Sequence, residues 1–169
     1  MKGFLLDTNV LSELRRPRPD PRVVDFVSAQ PEALLHVSAV TLAEIRFGID
    51  ASADAARRQA LTDWLMRTVR PIFAGRIVAL TEDVLVRWRH LLEAGRRRGH
   101  TFGALDGLIA ACAAHAGLVV VSRDTTDYVA AGVPLLQPWS ATFIDANGRD
   151  RTVANPARPD LLVDLTAGR

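Results

Sequence analysis

Short apolar runs alternate along the chain with stretches in which apolar positions recur every three or four residues. A spacing near 3.6 marks one face of a helix, whereas an unbroken short apolar run marks a strand buried on both faces. On this pattern residues 3–6 (GFLL) are a strand, and 9–16 (NVLSELRR) are a short helix stopped by the proline-rich PRPDP. Residues 22–29 form a second short helix and 34–37 (LLHV) a second strand. Ser38 then caps the helix AVTLAEIRFGI, because a serine hydroxyl accepts from the free N–H groups of a first turn. Residues 53–70 form a long amphipathic helix, with Ala56, Ala60, Leu61, Trp64, Leu65 and Val69 at spacings of three and four. The strand RIVAL, 76–80, leads through Thr81 into a helix over 82–97. Residues 104–116 are an alanine-rich helix with Gly117 as its stop. LVVVS, 118–122, is the clearest strand, followed by a short helix around Tyr128 and a last strand near VPLL.

Strands separated by helices imply an α/β fold, a parallel sheet of about five strands flanked by helices. In such sheets ligands bind at the carboxyl ends of the strands. Residues 141–169 break the pattern and balance four acids against four arginines. We expect them to be a C-terminal extension or flexible tail in which only DLLVDL packs, and residues 1–140 to be the main domain. There is no internal repeat.

At 169 residues the chain is one domain's length, and 49% apolar with 24% charged residues is globular composition. Lys2 is the only lysine, against 20 arginines. Arginine's planar fork suits phosphate, although a compositional bias explains the imbalance equally well. The single cysteine, Cys112, rules out an internal disulfide and a cysteine-based zinc site. No basic-then-apolar leader and no apolar run near the roughly 20 residues of a membrane span is present, so a cytoplasmic protein without membrane association is expected.

Four acids stand where a sheet would present them. Asp7 directly follows the first strand and Asp124 follows LVVVS through Ser122 and Arg123. Either alone reads as a turn or capping acid. Asp106 lies in the first turn of its helix, where the dipole favours it, yet its neighbours are apolar. Thr41-x-x-Glu44 fits a capping box, but Ser38 is the better cap, which leaves Glu44 a turn and a half inside the helix and unexplained by capping. Four carboxylates at one sheet edge would repel, and a hard divalent cation with oxygen ligands removes that cost. His36, His90, His100 and His115 are scattered and offer no better metal site.

LLDTNVLSEL, VSAVTLAEIRFGI, ALDGLIAACAAHAGL and LVVVSRDTTDY, in that order, resemble the PIN-domain ribonucleases, and more narrowly the VapC-type, FitB-like toxins of type II toxin–antitoxin systems. The resemblance covers roughly residues 3–138. It implies a PIN-like fold, frequent homodimers, a Mg²⁺ (or Mn²⁺) cofactor, an RNA substrate and a cognate antitoxin partner. It also implies that Asp7, Glu44, Asp106 and Asp124 form the catalytic and metal-binding pocket, with Asp7 and Asp106 foremost as ligands. Thr8 and Asn9 match the polar pair that shapes the pocket, and Asp127, one turn beyond Asp124, is a fallback. The expected reaction is hydrolysis of an RNA phosphodiester, leaving 5′-phosphate and 3′-hydroxyl ends.

The basic run GRRRGH, 95–100, is either the rim that attracts RNA or a solvated helix end. Val10, Leu14, Val23 and Phe26 are either an antitoxin dock or core. Cys112 and His115, three apart among alanines, read as packing. Two rival functions remain: an Asp-nucleophile phosphatase, disfavoured by Asn9 at the usual second-acid position and by the single lysine, and a non-catalytic PIN-like binding module. The absence of GxxxxGK[ST] excludes P-loop nucleotide hydrolysis.

Overall fold

The computed structural model of the chain describes residues 1–167. Its sheet is built from the runs that are apolar throughout. β1 (Phe4–Leu6) and β4 (Val119–Val121) are completely buried, because both sheet faces are covered. Successive residues serve opposite faces. Phe4, Leu6, Val119 and Val121 join one core layer, while Leu5 and Val120 join the other.

β2 (Leu35–Ser38), β3 (Ile77–Val78) and β5 (Leu135–Gln137) complete a parallel set of five. The sheet does not stop there. β6 (Thr142–Ile144) and β7 (Asp150–Thr152) add antiparallel to the β5 edge, giving seven strands in the order β3-β2-β1-β4-β5-β6-β7. The region after residue 141 thus carries two strands and a helix, α9 (Leu161–Thr166), whose Leu161, Leu162 and Leu165 are buried with Phe143 in the first core layer. DLLVDL packs as its pattern predicts.

One face of the sheet carries α1 (Thr8–Leu14) and α2 (Pro21–Ala29), with Phe26 set edge-on to Phe4 at 5.2 Å. Val10, Val23 and Phe26 are wholly buried there, so these three are core and present no docking face. The other face carries α6 (Glu82–Arg97), α7 (Ala104–Ala116) and the short α8 (Thr126–Ala130).

α3 (Ala39–Asp50) starts where β2 ends. Ser38 is its N-cap: the buried Ser38 Oγ accepts from the Thr41 N–H at 2.9 Å and also meets Thr41 Oγ1 at 2.9 Å. Replacing Ser38 by alanine should destabilise the fold by about 1–2 kcal/mol, read as a lower urea midpoint at unchanged slope. An unchanged midpoint would show that the cap contributes nothing.

The helix expected over 53–70 is interrupted. α4 (Ala55–Trp64) runs into a π-helical turn, Leu65–Val69, and then α5 (Arg70–Ile72). Pro71 lacks the N–H that a regular helix would donate four residues back, and the wider turn just before it accommodates that loss. Gly117 closes α7 in the left-handed conformation, φ 70°, that glycine adopts without strain.

Candidate active site

The strand order reverses between β1 and β4: β1 is followed outward by β2, β4 by β5. Such a switch point opens a crevice at the carboxyl ends of the strands. Asp7 leaves β1 there and Asp124 leaves β4 through Ser122 and Arg123. Glu44 comes from α3, and Asp106 from the first turn of α7. All four line one pocket of about 300 Å³, with Thr8, Asn9, Ser12, Arg16 and Arg123. The structure therefore brings the four expected acids together.

Asp7 is 4% exposed. Its Oδ1 accepts from the Thr8 N–H at 2.6 Å, and its Oδ2 accepts from Ser122 Oγ at 2.7 Å and Asn9 Nδ2 at 3.0 Å. The same Asn9 nitrogen lies 3.2 Å from Asp124 Oδ2 and 2.8 Å from Ser122 Oγ. The Arg123 N–H donates to Asn9 Oδ1 at 3.3 Å, which fixes the amide's orientation. Ser122 Oγ also accepts from the Asp124 N–H at 3.0 Å. One asparagine and one buried serine thus tie the ends of β1 and β4 together and aim both carboxylates. Thr8 performs the same task for Glu44, its hydroxyl donating to Glu44 Oε2.

These hydrogen bonds do not offset the cost of gathering negative charge. The Asp7 carboxyl is raised above its ordinary range, first by burial, although Ser122 and Thr8 pull against that. Glu44 is raised by burial and then by the charge of Asp7. Asp106 is pushed up to about 6, by burial and then by the charges of Asp7, Asp127, Glu44 and Asp124. Asp106 accepts no hydrogen bond among the described residues, so only its place in the first turn of α7 favours its ionised form.

Asp127 lies beside Asp106 and Asp124 but outside the pocket that the four share. Its Oδ1 meets His100 Nε2 at 2.8 Å and its Oδ2 accepts from the Gly103 N–H at 2.7 Å, so it holds the α6–α7 loop against α8. The GRRRGH run is a helix end: Arg96 and Arg97 pair with Glu93, and Arg98 donates to the Ala130 carbonyl. Arg16 and Arg123 are the cations at the pocket instead. The Cys112 thiol is buried in α7 and pushed up to about 11, which fits packing rather than a nucleophile. Lys2 lies at the opposite end of β1, where its N–H donates to the Gly117 carbonyl, so it cannot assist a phosphatase at Asp7.

Two residues at the site are not singled out by the sequence pattern. Ser122 is signalled only as the polar residue between VVV and an acid. Tyr128 reads as a generic helix aromatic, yet it is completely buried and its hydroxyl has no hydrogen-bond partner among the described residues. It lines a cleft with Asp106, Asp124 and Asp127, and its pKa is driven up by burial and then by the charges of Asp7 and Asp106.

The donor set is all carboxylate oxygen, the chemistry of a magnesium-type site. Among the described residues no three acids or histidines close a metal shell by themselves. The buried Asp7 and the half-buried Glu44 and Asp106, all raised, with no lysine lining the pocket, fit a magnesium-type ion.

Fold and pocket together define an α/β protein that collects oxygen donors at the switch point of a parallel sheet. The PIN domain family model matches residues 4–131, and the chain belongs to that family, in its VapC and FitB group. It is 38% identical over 136 residues to VapC ribonuclease Y4jK of Sinorhizobium fredii, covering 80% of this chain and 97% of that one. It is 36% identical over 136 residues to Toxin FitB of Neisseria gonorrhoeae, covering 80% and 98%. The crystal structure of FitAcB from Neisseria gonorrhoeae superposes with a TM-score of 0.77 at 36% identity, covering 80% of this chain and 98% of that one. The family match ends before β5, so β5, β6, β7 and α9 lie beyond it. No helix among the described residues is long and apolar enough to cross a membrane.

Proposed function

We propose that the protein is a metal-dependent endoribonuclease and the toxin of a toxin–antitoxin pair, acting in the cytoplasm. The observation that carries this reading is the convergence of Asp7, Glu44, Asp106 and Asp124 on one pocket at the switch point. Asp7 and Asp106 would hold a Mg²⁺ or Mn²⁺ ion, with Glu44 and Asp124 engaged directly or through water. When bound, such an ion stabilises charge on a phosphate oxygen and lowers the pKa of a bound water.

The protein's own groups set up the rest. Asn9 and Ser122 keep Asp7 and Asp124 in fixed orientations. Thr8 occupies Glu44 Oε2 and leaves Oε1 to accept the proton of the attacking water, a task that a raised pKa favours. The new bond joins that water's oxygen to phosphorus, and the bond to the ribose 3′ oxygen breaks, that oxygen taking a proton from solvent. Products then carry 5′-phosphate and 3′-hydroxyl ends. End-mapping of cleaved RNA is expected to show these, and 2′,3′-cyclic phosphates would instead mean attack by the ribose 2′-hydroxyl.

The toxin reading is supported by the names of the VapC and FitB relatives. It is also supported by an apolar groove of about 620 Å³ lined by Leu11, Leu14, Trp64, Ile72 and Phe73, which suits an antitoxin segment.

Gly103 gives a local test. A Cβ there would come 2.7 Å from Asp106 Oδ2 and 3.1 Å from Asp127 Oδ2. The carboxylate can swing away, so Gly103→Ala should fold with little loss of stability. It should cleave about tenfold to a hundredfold more slowly, because the displaced acid is out of position. Wild-type turnover in this variant would remove Asp106 from the reacting geometry.

A further inference from the structure

The acid pocket opens past Glu44 into a second cleft of about 530 Å³ between α1, α3 and α4, and the two share Thr8, Ser12, Arg16 and Glu44. The opposite arm, beyond Asp124, sets Asp106, Asp124 and Asp127 against Arg123 alone. One arm is therefore cationic and the other acidic.

The cationic arm has an apolar floor of Ile45, Ile49, Leu61 and Trp64, with Arg15, Arg16 and Arg57 around it. The Arg15 guanidinium lies over the Trp64 ring, 5.5 Å from its centre, so the two form one stacked wall of the cleft. Arg16 is paired with Glu13, whereas Arg15 and Arg57 have no carboxylate partner among the described residues.

Gly48 leaves the wall of this cleft bare. It sits inside α3 and on the cleft wall, and a Cβ built there would meet nothing within 4 Å. Neither packing nor a left-handed backbone calls for glycine, and glycine weakens a helix interior. What it preserves is open space over the floor.

We propose that this cleft binds the single-stranded RNA flank beside the scissile phosphate, one base lying over Gly48 on the apolar floor beside the Arg15–Trp64 stack and the adjoining phosphates meeting Arg15, Arg16 and Arg57. The proposal rests on the ribonuclease reading. An unpaired base offers a flat face to an aromatic floor, which a base within a duplex cannot do. Arginine supplies paired donors to phosphate and draws the strand towards an otherwise repelling acid pocket. The acidic arm offers no such attraction, so contacts concentrate on one side of the cut.

The test uses the full chain in EDTA and a short fluorescent single-stranded RNA, with binding read by anisotropy across a salt series. Gly48→Leu should raise the melting temperature by about 2–4 °C, since leucine is the better helix former, while weakening RNA binding about tenfold by filling the cleft. Arg57→Glu should also weaken binding about tenfold and reduce the salt slope by about 0.7, the share of one lost phosphate contact. Arg67→Glu, on the neighbouring turn and outside the cleft, should bind as wild type. The same RNA in a duplex should bind more weakly than the single strand.

Wild-type affinity in either Gly48→Leu or Arg57→Glu overturns the subsite; if the wild-type protein still cleaves RNA with Mg²⁺, the ribonuclease reading stands without it. A wild-type protein that neither binds nor cleaves RNA ends both. Variants that keep RNA affinity but lose a protein partner would make the cleft a protein dock and overturn the RNA assignment.

Discussion

Asp106→Asn is expected to cleave RNA more slowly by a factor on the order of a thousand, while the metal-free protein melts at a higher temperature than wild type. The two effects share one cause. Asp106 sits among Asp7, Glu44, Asp124 and Asp127, and its pKa of about 6 records how poorly that surrounding tolerates its charge. Asparagine keeps the shape, removes the repulsion and cannot supply an anionic ligand. Asp106 accepts no hydrogen bond among the described residues, so the substitution breaks none. Loss of activity through misfolding would lower the melting temperature, and loss through chemistry would raise it. Thermal melts in EDTA beside single-turnover cleavage separate the two. A variant that cuts at the wild-type rate would remove Asp106 from the site.

The second large effect is a pH dependence that reverses with metal. Asp106 has a folded-state pKa of about 6 against an ordinary value of 3.8. The metal-free fold therefore holds this proton more tightly than the unfolded chain does. Its contribution to stability is fully present below about 3.8 and is lost as pH rises through about 6. Asp7 and Glu44, both raised, act in the same direction. Mg²⁺ competes with these protons, so it should raise the melting temperature at pH 8 and have little effect at pH 5. At limiting Mg²⁺, cleavage should fall by about tenfold per unit below pH 6, and saturating Mg²⁺ should move the midpoint lower. A melting temperature indifferent to Mg²⁺ at pH 8 would contradict a metal site among these acids.

Much of this was legible because the residues that start and stop elements act locally. Ser38, Thr81 and Gly117 fix helix ends through their own hydrogen bonds and backbone preference, and each stands where the pattern predicts. The unbroken apolar runs of β1 and β4 announce a sheet buried on both faces, which puts Asp7 and Asp124 at its carboxyl edge. Features that depend on distant partners were not legible. Ser122 earns its role from Asn9 and Asp7, more than a hundred residues away in sequence. The arginines around the pocket are Arg15, Arg16, Arg57 and Arg123, dispersed in sequence, while the dense run at 96–98 is spent on Glu93 and Ala130. β6 is too short and β7 too polar to show a strand period, and they form because the β5 edge offers unpaired backbone groups. The π-helical turn before Pro71 follows from a missing N–H that periodicity alone does not reveal.

The central claim is that the carboxylates at the switch point cleave RNA with a divalent ion. Its most direct test is cleavage by purified wild-type and Asp7→Asn proteins, each assayed with Mg²⁺, after EDTA, and after Mg²⁺ is returned. Wild type alone should cut, stopped by EDTA and restored by Mg²⁺. Equal cutting by both proteins, or cutting by wild type that survives EDTA, would contradict it.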